Sequence, residues 1–333
     1  MQGMWEAFID NMEQIKSTAS GFSVPFFRRL KLFFALSRTP HGLLDMATPC
    51  FVALLWLGGF PSLFVVLVGL ITTFAGYTAV YALNDLVDYR IDQEKMAKGQ
   101  YCNPDNYLDA LMIRHPMAQA CLSYREGLMW AGGWGSVAII GAYLLNPVCV
   151  LIFLAGCLLE AVYCLMWRLS PLRAVVSGVV KTTGPIAGIF AVDPNPSPVF
   201  VMVIFLSLFF WEIGGQNIPA DWTDLDSDRR LKAQTIPVRF GPVKSAELLL
   251  LCIIFALVLM FISFQLPKPG PAPLAGVISI ILGIYLLLIP AFRLYQTNSR
   301  ADAMILFNKS SYYPLALLVT VLINILIIPG VYP

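Results

Sequence analysis

An apolar run that ends in acidic residues decides the fold of this chain, since residues 61–92 read PSLFVVLVGLITTFAGYTAVYALNDLVDYRID. A helix needs about 20 apolar residues to cross a bilayer, and Pro61–Leu83 reaches that length without a charge. The run continues directly into Asn84, Asp85, Asp88 and Asp92. The stretch predicts a membrane-spanning helix with carboxylates gathered at its end.

The rest of the chain repeats this apolar character. Of 333 residues, 58% are apolar and only 13% are charged, which is too much apolar surface for a soluble domain of this length. Nine spans are predicted, at His41–Gly58, Pro61–Leu83, Gly127–Leu145, Val148–Trp167, Ala174–Val192, Val199–Ile218, Ala246–Gln265, Ala272–Ala291 and Tyr312–Ile328.

Basic residues set the expected orientation, because Lys and Arg accumulate in cytoplasmic loops. Twenty of the 22 fall in the N-terminal segment or in the loops after the second, fourth, sixth and eighth spans. Lys268 alone lies on the opposite face, and Lys181 lies inside the fifth span. We therefore expect the N-terminus and the acidic residues to be cytoplasmic and the C-terminus to lie on the opposite side. The net charge of +2 follows from this pattern, and it gives no indication of nucleic-acid binding.

Residues 1–37 form a separate cytoplasmic N-terminal segment, and residues 38–333 form the transmembrane domain. No cleavable signal is visible in residues 1–27, which contain acids and no continuous apolar core. Val24–Ser37 mixes aromatic and basic residues, a composition that favours a helix lying at the membrane surface. An extension of the first span is the alternative.

The carboxylate pattern occurs twice. Adding 136 to the numbers of Asp85, Asp88 and Asp92 gives Asp221, Asp224 and Asp228, so the two D-x-x-D-x-x-x-D copies are in register and four spans apart. This spacing indicates a repeat of four-helix units. On a continuous helix, offsets of three and seven residues place the three carboxylates within an arc of about 60°.

Such a stripe is electrostatically unfavourable by itself. Like charges on one helix face repel, and carboxylates at a helix C-terminus lie at the negative end of its dipole. An isolated copy is equally compatible with a solvated helix face, but two registered copies favour a bound cation. Mg²⁺ prefers carboxylate and phosphate oxygens, so the pattern predicts a metal-diphosphate site.

At this point the sequence resembles the UbiA family of intramembrane prenyltransferases. Asn84 to Asp92 matches the family's N-D-x-x-D-x-x-x-D motif, and Asp224 to Asp228 matches its second motif, D-x-x-x-D. The tail from Arg229 to Gly241, which contains Thr-Ile-Pro-Val-Arg-Phe-Gly, is also similar. The chain departs from the family between Asp92 and Arg114, where it is longer. The resemblance implies an all-α bundle of nine transmembrane helices around a central cavity, with cytoplasmic cap loops that carry the two motifs.

The resemblance also implies site residues. Two Mg²⁺ ions would bind at Asn84, Asp88, Asp92, Asp224 and Asp228, with Asp85 and Asp221 completing the acidic stripes as ligands or as supporting groups. The catalytic set is then Asp88, Asp92, Asp224 and Asp228. Residues expected to contact the diphosphate are Asn84, Arg114, Tyr163, Lys181, Arg229 and Lys232.

Lys181 differs from the loop cations because a charge inside an apolar span needs a partner or a wet cavity. Contact with the diphosphate is one interpretation. A structural ion pair with Glu160 or Glu212, the other charges deep in spans, is the alternative.

Three functions fit the sequence to different degrees. The first is transfer of a prenyl group from a polyprenyl diphosphate to a lipophilic or aromatic acceptor in the bilayer, as in quinone-type aromatic prenyltransferases. The second is a terpene synthase of the same fold, in which the prenyl cation is captured by its own chain. The third is a secondary transporter, whose substrate site should lie at the bilayer midplane, whereas these carboxylates gather at one membrane face.

Overall fold

The computed structural model describes residues 26–97, 112–267 and 273–327. Every regular element in these ranges is helical. The α-helices are α1 (Phe26–Leu36), α2 (Thr39–Asp45), α3 (Ala47–Leu57), α4 (Leu63–Val87), α5 (Tyr89–Ala97), α6 (Tyr124–Leu145), α7 (Pro147–Leu165), α8 (Arg173–Val192), α9 (Pro198–Trp211), α10 (Ile218–Thr223), α11 (Leu225–Arg230), α12 (Ile236–Ser263), α13 (Pro273–Gly283), α14 (Ile289–Thr297), α15 (Arg300–Ser311) and α16 (Tyr313–Ile327).

Nine helical segments within the described ranges are long and apolar enough to cross a membrane, which confirms the predicted number. We refer to them as spans 1 to 9. They are Thr39–Leu57, Leu63–Val87, Tyr124–Leu145, Pro147–Arg168, Arg173–Val192, Pro198–Thr223, Ile236–Ser263, Leu274–Thr297 and Arg300–Leu326.

Span 9 begins at Arg300, twelve residues before the predicted start at Tyr312. The polar residues that precede Tyr312 misled the sequence prediction, because they are buried against span 6 rather than exposed. The π-helical turn Glu212–Asn217 presents Gln216, whose amide nitrogen donates to Ser311 Oγ at 3.2 Å and also contacts Ser310. Paired polar groups of this kind are compatible with a membrane interior.

The N-terminal helix α1 is a separate element rather than an extension of span 1. Arg38, which lies between them, adopts a left-handed backbone conformation with φ 44°. Leu36 is fully buried, whereas Phe26 and Phe27 are 74% and 80% exposed. The exposed phenylalanines are consistent with a location at the membrane surface, which stays a prediction. Residues 1–25 lie outside the described part of the chain.

Spans 1 and 5 approach each other closely at the centre of the bundle. A Cβ atom at Gly188 would lie 2.9 Å from the Pro49 carbonyl oxygen, so a side chain at this position would collide with backbone. Much of the buried core lies among span 1 and spans 5 to 9, where Phe51, Leu208 and Ile253 are fully buried. The cavity described below lies beside this core and is lined by residues of spans 1 to 6 and of span 9.

Candidate active site

The first acidic motif crosses the junction of two helices. Helix α4 ends at Val87, the amide of Asp88 donates to the Asn84 carbonyl at 2.9 Å, and the amide of Asp92 on α5 donates to the Asp88 carbonyl at 2.9 Å. Asp85 and Asp92 are each only 3% exposed. The carboxylates therefore lie on two helix ends, with a bend at Asp88, and not on the single continuous helix or the cap loop that the sequence predicted.

The second motif has the same construction. Helix α10 ends at Thr223, Asp224 forms the junction, and the amide of Asp228 on α11 donates to the Asp224 carbonyl at 2.9 Å. The ends of α4 and α10 correspond under the shift of 136 residues, as do the starts of α5 and α11. The repeat read from the motifs thus extends to the boundaries of the helices that carry them.

An arginine binds the first aspartate of each motif. The Arg38 guanidinium lies 3.1 Å from Asp85 Oδ1, and the Arg173 guanidinium lies 3.1 Å from Asp221 Oδ1. Arg38 immediately precedes span 1, and Arg173 is the first residue of span 5. The sequence analysis did not select either arginine. Their nearly equal separations from the paired aspartates, 47 and 48 residues, were the signal that could have found them.

The dipeptide Arg114-His115 contacts both motifs. His115 Nδ1 lies 2.8 Å from Asp92 Oδ2 and 3.2 Å from Asp85 Oδ1, while the Arg114 guanidinium lies 3.6 Å from Asp224 Oδ2. Burial by itself lowers the pKa of His115, but the carboxylates of Asp85 and Asp92 outweigh it and raise the pKa above its usual value. The sequence predicted a role for Arg114 and overlooked His115, one of only two histidines.

Two carboxylate oxygens of the motifs have no hydrogen-bond partner among the described residues. Asp88 Oδ1 and Asp221 Oδ2 are buried and accept no hydrogen bond from any described residue. Burial and the nearby Asp92 carboxylate raise the pKa of Asp88. Burial and the Asp221 carboxylate likewise raise the pKa of Asp228, to about 7. Crowded, partly unpartnered carboxylates of this kind suit a hard divalent cation such as Mg²⁺, which supplies positive charge and accepts oxygen ligands.

Asn84 and Tyr163 lie beside the acidic aspartates, and their contact with a diphosphate stays a prediction. The Asn84 side chain accepts from Arg38 at 3.2 Å and donates to Glu160 Oε1 at 2.6 Å. The Tyr163 hydroxyl accepts from Asn217 Nδ2 at 3.2 Å. The Arg173 guanidinium lies over the Tyr163 ring, 4.2 Å from its centroid, so the arginine that binds the second motif also orders this tyrosine.

The other predicted cations lie elsewhere. Lys181 Nζ is 2.7 Å from Asp45 Oδ2, so its partner is neither of the two glutamates considered from the sequence. Arg229 and Lys232 are exposed, and within the described residues neither forms an ion pair. The structure therefore brings Arg114 to the acidic motifs but does not bring Lys181, Arg229 or Lys232 into contact with them.

A cavity of about 600 Å³ begins beneath the motifs and continues into the membrane. Its wall on span 2 extends from Asn84 to Val65, which corresponds to about 28 Å of helix. Most of its lining is apolar, while Asp45, Glu160, Lys181 and Glu212 lie at the end nearer the motifs. The molecule is thus a membrane protein in which two acidic motifs lie beside the mouth of a long apolar cavity.

Comparisons with known proteins identify this class. A model of the UbiA prenyltransferase family matches residues 46–312, and the chain belongs to this family. It is an intramembrane prenyltransferase.

Individual relatives agree with this assignment. The 4-hydroxybenzoate octaprenyltransferase of Nitrosomonas eutropha is 25% identical over 248 residues, which cover 73% of this chain and 80% of the relative. The corresponding protein of Shewanella denitrificans is 25% identical over 217 residues, covering 64% and 68%.

Solved structures support the fold. A UbiA homolog from Aeropyrum pernix superposes with a TM-score of 0.68 at 18% identity, covering 86% of this chain and 98% of that one. A UbiA homolog from Archaeoglobus fulgidus bound to DMAPP and Mg²⁺ gives a TM-score of 0.63 at 17% identity, with coverage of 86% and 99%.

Proposed function

We propose that this prenyltransferase uses Mg²⁺ and transfers the prenyl group of a polyprenyl diphosphate to an aromatic acceptor. The observation that carries the proposal is the pair of registered acidic motifs beside one apolar cavity. Relatives of the chain, which include 4-hydroxybenzoate octaprenyltransferases and a UbiA homolog whose structure contains DMAPP and Mg²⁺, support the same substrate classes.

We propose fewer metal ligands than the sequence motifs suggested, because Asp85 and Asp221 have other partners. Asp88, Asp92, Asp224 and Asp228 would hold the ions, with Asn84 beside them. Asp85 and Asp221 already bind Arg38 and Arg173 at 3.1 Å, which supports a positioning role for them. Mg²⁺ held by these carboxylates would neutralise the charge that develops on a departing diphosphate.

The proposed reaction breaks one bond of the prenyl diphosphate and forms one bond to the acceptor. The C1–O bond of the prenyl diphosphate breaks, and its electron pair leaves with the diphosphate, which Arg114 is placed to contact at the side of the second motif. Electrons of the acceptor ring would then form the new bond to C1, and the ring proton would pass to the released diphosphate. The apolar lining of the cavity excludes water, which would otherwise capture the prenyl cation.

The length of the cavity supports a long prenyl chain. Its wall on span 2 covers nearly the full hydrocarbon thickness of a bilayer, about 30 Å. The prenyl tail can therefore extend away from the motifs across the membrane. The excess of basic residues near the motifs supports a cytoplasmic location for them, and the diphosphate would then enter from the cytoplasm.

Activity after metal removal tests the proposal. We expect purified protein treated with a chelator to form no prenylated product from polyprenyl diphosphate and phenolic acceptors, and added Mg²⁺ to restore activity. Full activity after exhaustive chelation would contradict the metal assignment. A cyclised hydrocarbon that forms without any acceptor would instead identify the enzyme as a terpene synthase of this fold.

A further inference from the structure

Four buried polar atoms of cavity-lining residues have no hydrogen-bond partner among the described residues, and one of them, Asn217 Oδ1, lies nearest the acidic motifs along the chain. The other three lie deeper. They are Nδ1 of His41, the hydroxyl of Tyr77 and Oε2 of Glu212, on spans 1, 2 and 6. All three residues line the cavity, and His41 and Glu212 are each 7% exposed. An unpaired polar atom in a buried, low-dielectric setting is costly, so three of them around one space point to a polar ligand.

The rest of these side chains is already held in place. Glu212 Oε1 accepts a hydrogen bond from Ser177 Oγ at 2.7 Å, which leaves Oε2 available. The His41 ring stacks on Phe307, with 5.6 Å between centroids. Gly184 provides space beside the Tyr77 hydroxyl, because a Cβ at that position would lie 3.0 Å from it. The three atoms therefore belong to oriented side chains.

This polar group lies deeper than the acidic motifs. Tyr77 precedes Asp88 by eleven residues and Glu212 precedes Asp224 by twelve, which corresponds to roughly 16–18 Å along their helices. The diphosphate, held at the motifs, does not extend that far. A prenyl tail does, but it has no atom that can donate or accept a hydrogen bond. The acceptor is the remaining substrate, and its ring would lie between these side chains and C1 of the prenyl diphosphate.

The unpaired atoms of Tyr77 and Glu212 indicate which functional group the acceptor carries. A hydroxyl group can accept from Tyr77 and donate to Glu212 at the same time. A carboxylate can only accept, and it would add a further negative charge near Asp45 and Glu212. The two cations that line this end, Arg38 and Lys181, each already bind an aspartate.

We propose that His41, Tyr77 and Glu212 form an acceptor-binding pocket that takes a hydroxylated aromatic compound without a carboxylate. This inference rests on the proposed transferase function and narrows its acceptor class. The proposed acceptor therefore differs from 4-hydroxybenzoate, the carboxylated acceptor that the names of the relatives indicate. The aromatic lining at this level, which includes Tyr81 and Phe307, suits a ring that carries the hydroxyl.

The chain offers a matched pair of variants. Tyr77→Phe removes the unpaired hydroxyl that faces the cavity. Tyr313→Phe removes another buried hydroxyl that has no partner within the described ranges, from a residue that does not line the cavity. Glu212→Gln keeps the shape of the side chain and its contact with Ser177 but replaces the free carboxylate oxygen.

Steady-state kinetics of the full chain, with one prenyl diphosphate and a set of neutral hydroxyarenes such as hydroquinone, tests the pocket. Their carboxylated counterparts, including 4-hydroxybenzoate, form the comparison set. We expect wild type to favour the neutral set at least tenfold in kcat/KM. Tyr77→Phe and Glu212→Gln should each raise the KM for the neutral acceptor about tenfold and leave the KM for prenyl diphosphate unchanged. Tyr313→Phe should match wild type.

Binding without turnover gives a second readout. Hydroquinone should raise the thermal midpoint of wild type and of Tyr313→Phe but not that of Tyr77→Phe. A preference for the carboxylated set, or equal behaviour of Tyr77→Phe and Tyr313→Phe, would overturn the pocket while leaving the transferase function in place. Failure of wild type to prenylate any member of either set would overturn both proposals.

Discussion

The two halves of the chain carry aspartates at three pairs of equivalent positions and opposite charges at a fourth pair. Under the shift of 136 residues, the acidic motifs match aspartate for aspartate. The same shift relates Asp45 on span 1 to Lys181 on span 5, and these two side chains bind each other at 2.7 Å. Equivalent positions near the contact of spans 1 and 5 therefore meet directly.

The difference shows where each charge obtains its counterion. Opposite charges inside the membrane neutralise each other and need nothing from outside. Identical carboxylates at the membrane face cannot do so, and the arginines and His115 neutralise only some of them. This is why we propose that the motifs bind an added cation, whereas Asp45 and Lys181 already pair with each other.

If the motifs are equivalent, Asp88→Asn and Asp224→Asn should have similar and severe effects. We expect each to reduce turnover at least about 100-fold while the protein still folds, because each removes a proposed metal ligand that would stabilise the leaving group. Turnover with saturating prenyl diphosphate, together with a thermal melt, measures both effects.

Asp226→Asn is the control, since Asp226 lies between two motif aspartates on the same segment but is exposed. Its activity should match wild type. A loss confined to one of the two motif variants would show that the copies are not functionally equivalent.

Much of this comparison was accessible from sequence. Hydropathy predicted nine spans, and motif spacing predicted the repeat, because both are periodic along the chain. His115 and the pairing of Lys181 were missed because they depend on contacts between distant elements, and local pattern does not encode those contacts. Even so, the shift of 136 residues relates Lys181 to Asp45, and applying it to every charged residue would have suggested that pair.

If Lys181 is the partner of Asp45, Lys181→Met should destabilise the protein. Both side chains are buried, with exposures of 13% and 5%. Breaking a buried ion pair leaves one uncompensated charge and costs about 3–5 kcal/mol in soluble proteins. Thermal melts in detergent provide the measurement, and adding Asp45→Asn to Lys181→Met should recover much of the loss. Unchanged stability with weakened binding of prenyl diphosphate would instead support contact between Lys181 and the diphosphate.

Replacing the arginines that bind Asp85 and Asp221 should change stability less than Lys181→Met does, and by different amounts in the two halves. Arg173 is 7% exposed, and its partner Asp221 has no second cation within ion-pair distance in the described chain. Arg38 is 28% exposed, and its partner Asp85 also has His115 at 3.2 Å. Replacing Arg173 therefore leaves a buried charge without compensation, whereas replacing Arg38 does not.

We expect Arg173→Gln to lower the free energy of unfolding more than Arg38→Gln, by about 1–3 kcal/mol, since the partly exposed pair is worth less. Parallel melts of the two variants measure this difference. Adding Asp221→Asn to Arg173→Gln should restore stability, because an amide in place of the carboxylate needs no counterion. Equal losses in the two single variants would show that His115 does not compensate Asp85, and the first motif would then rely on its arginine as strongly as the second.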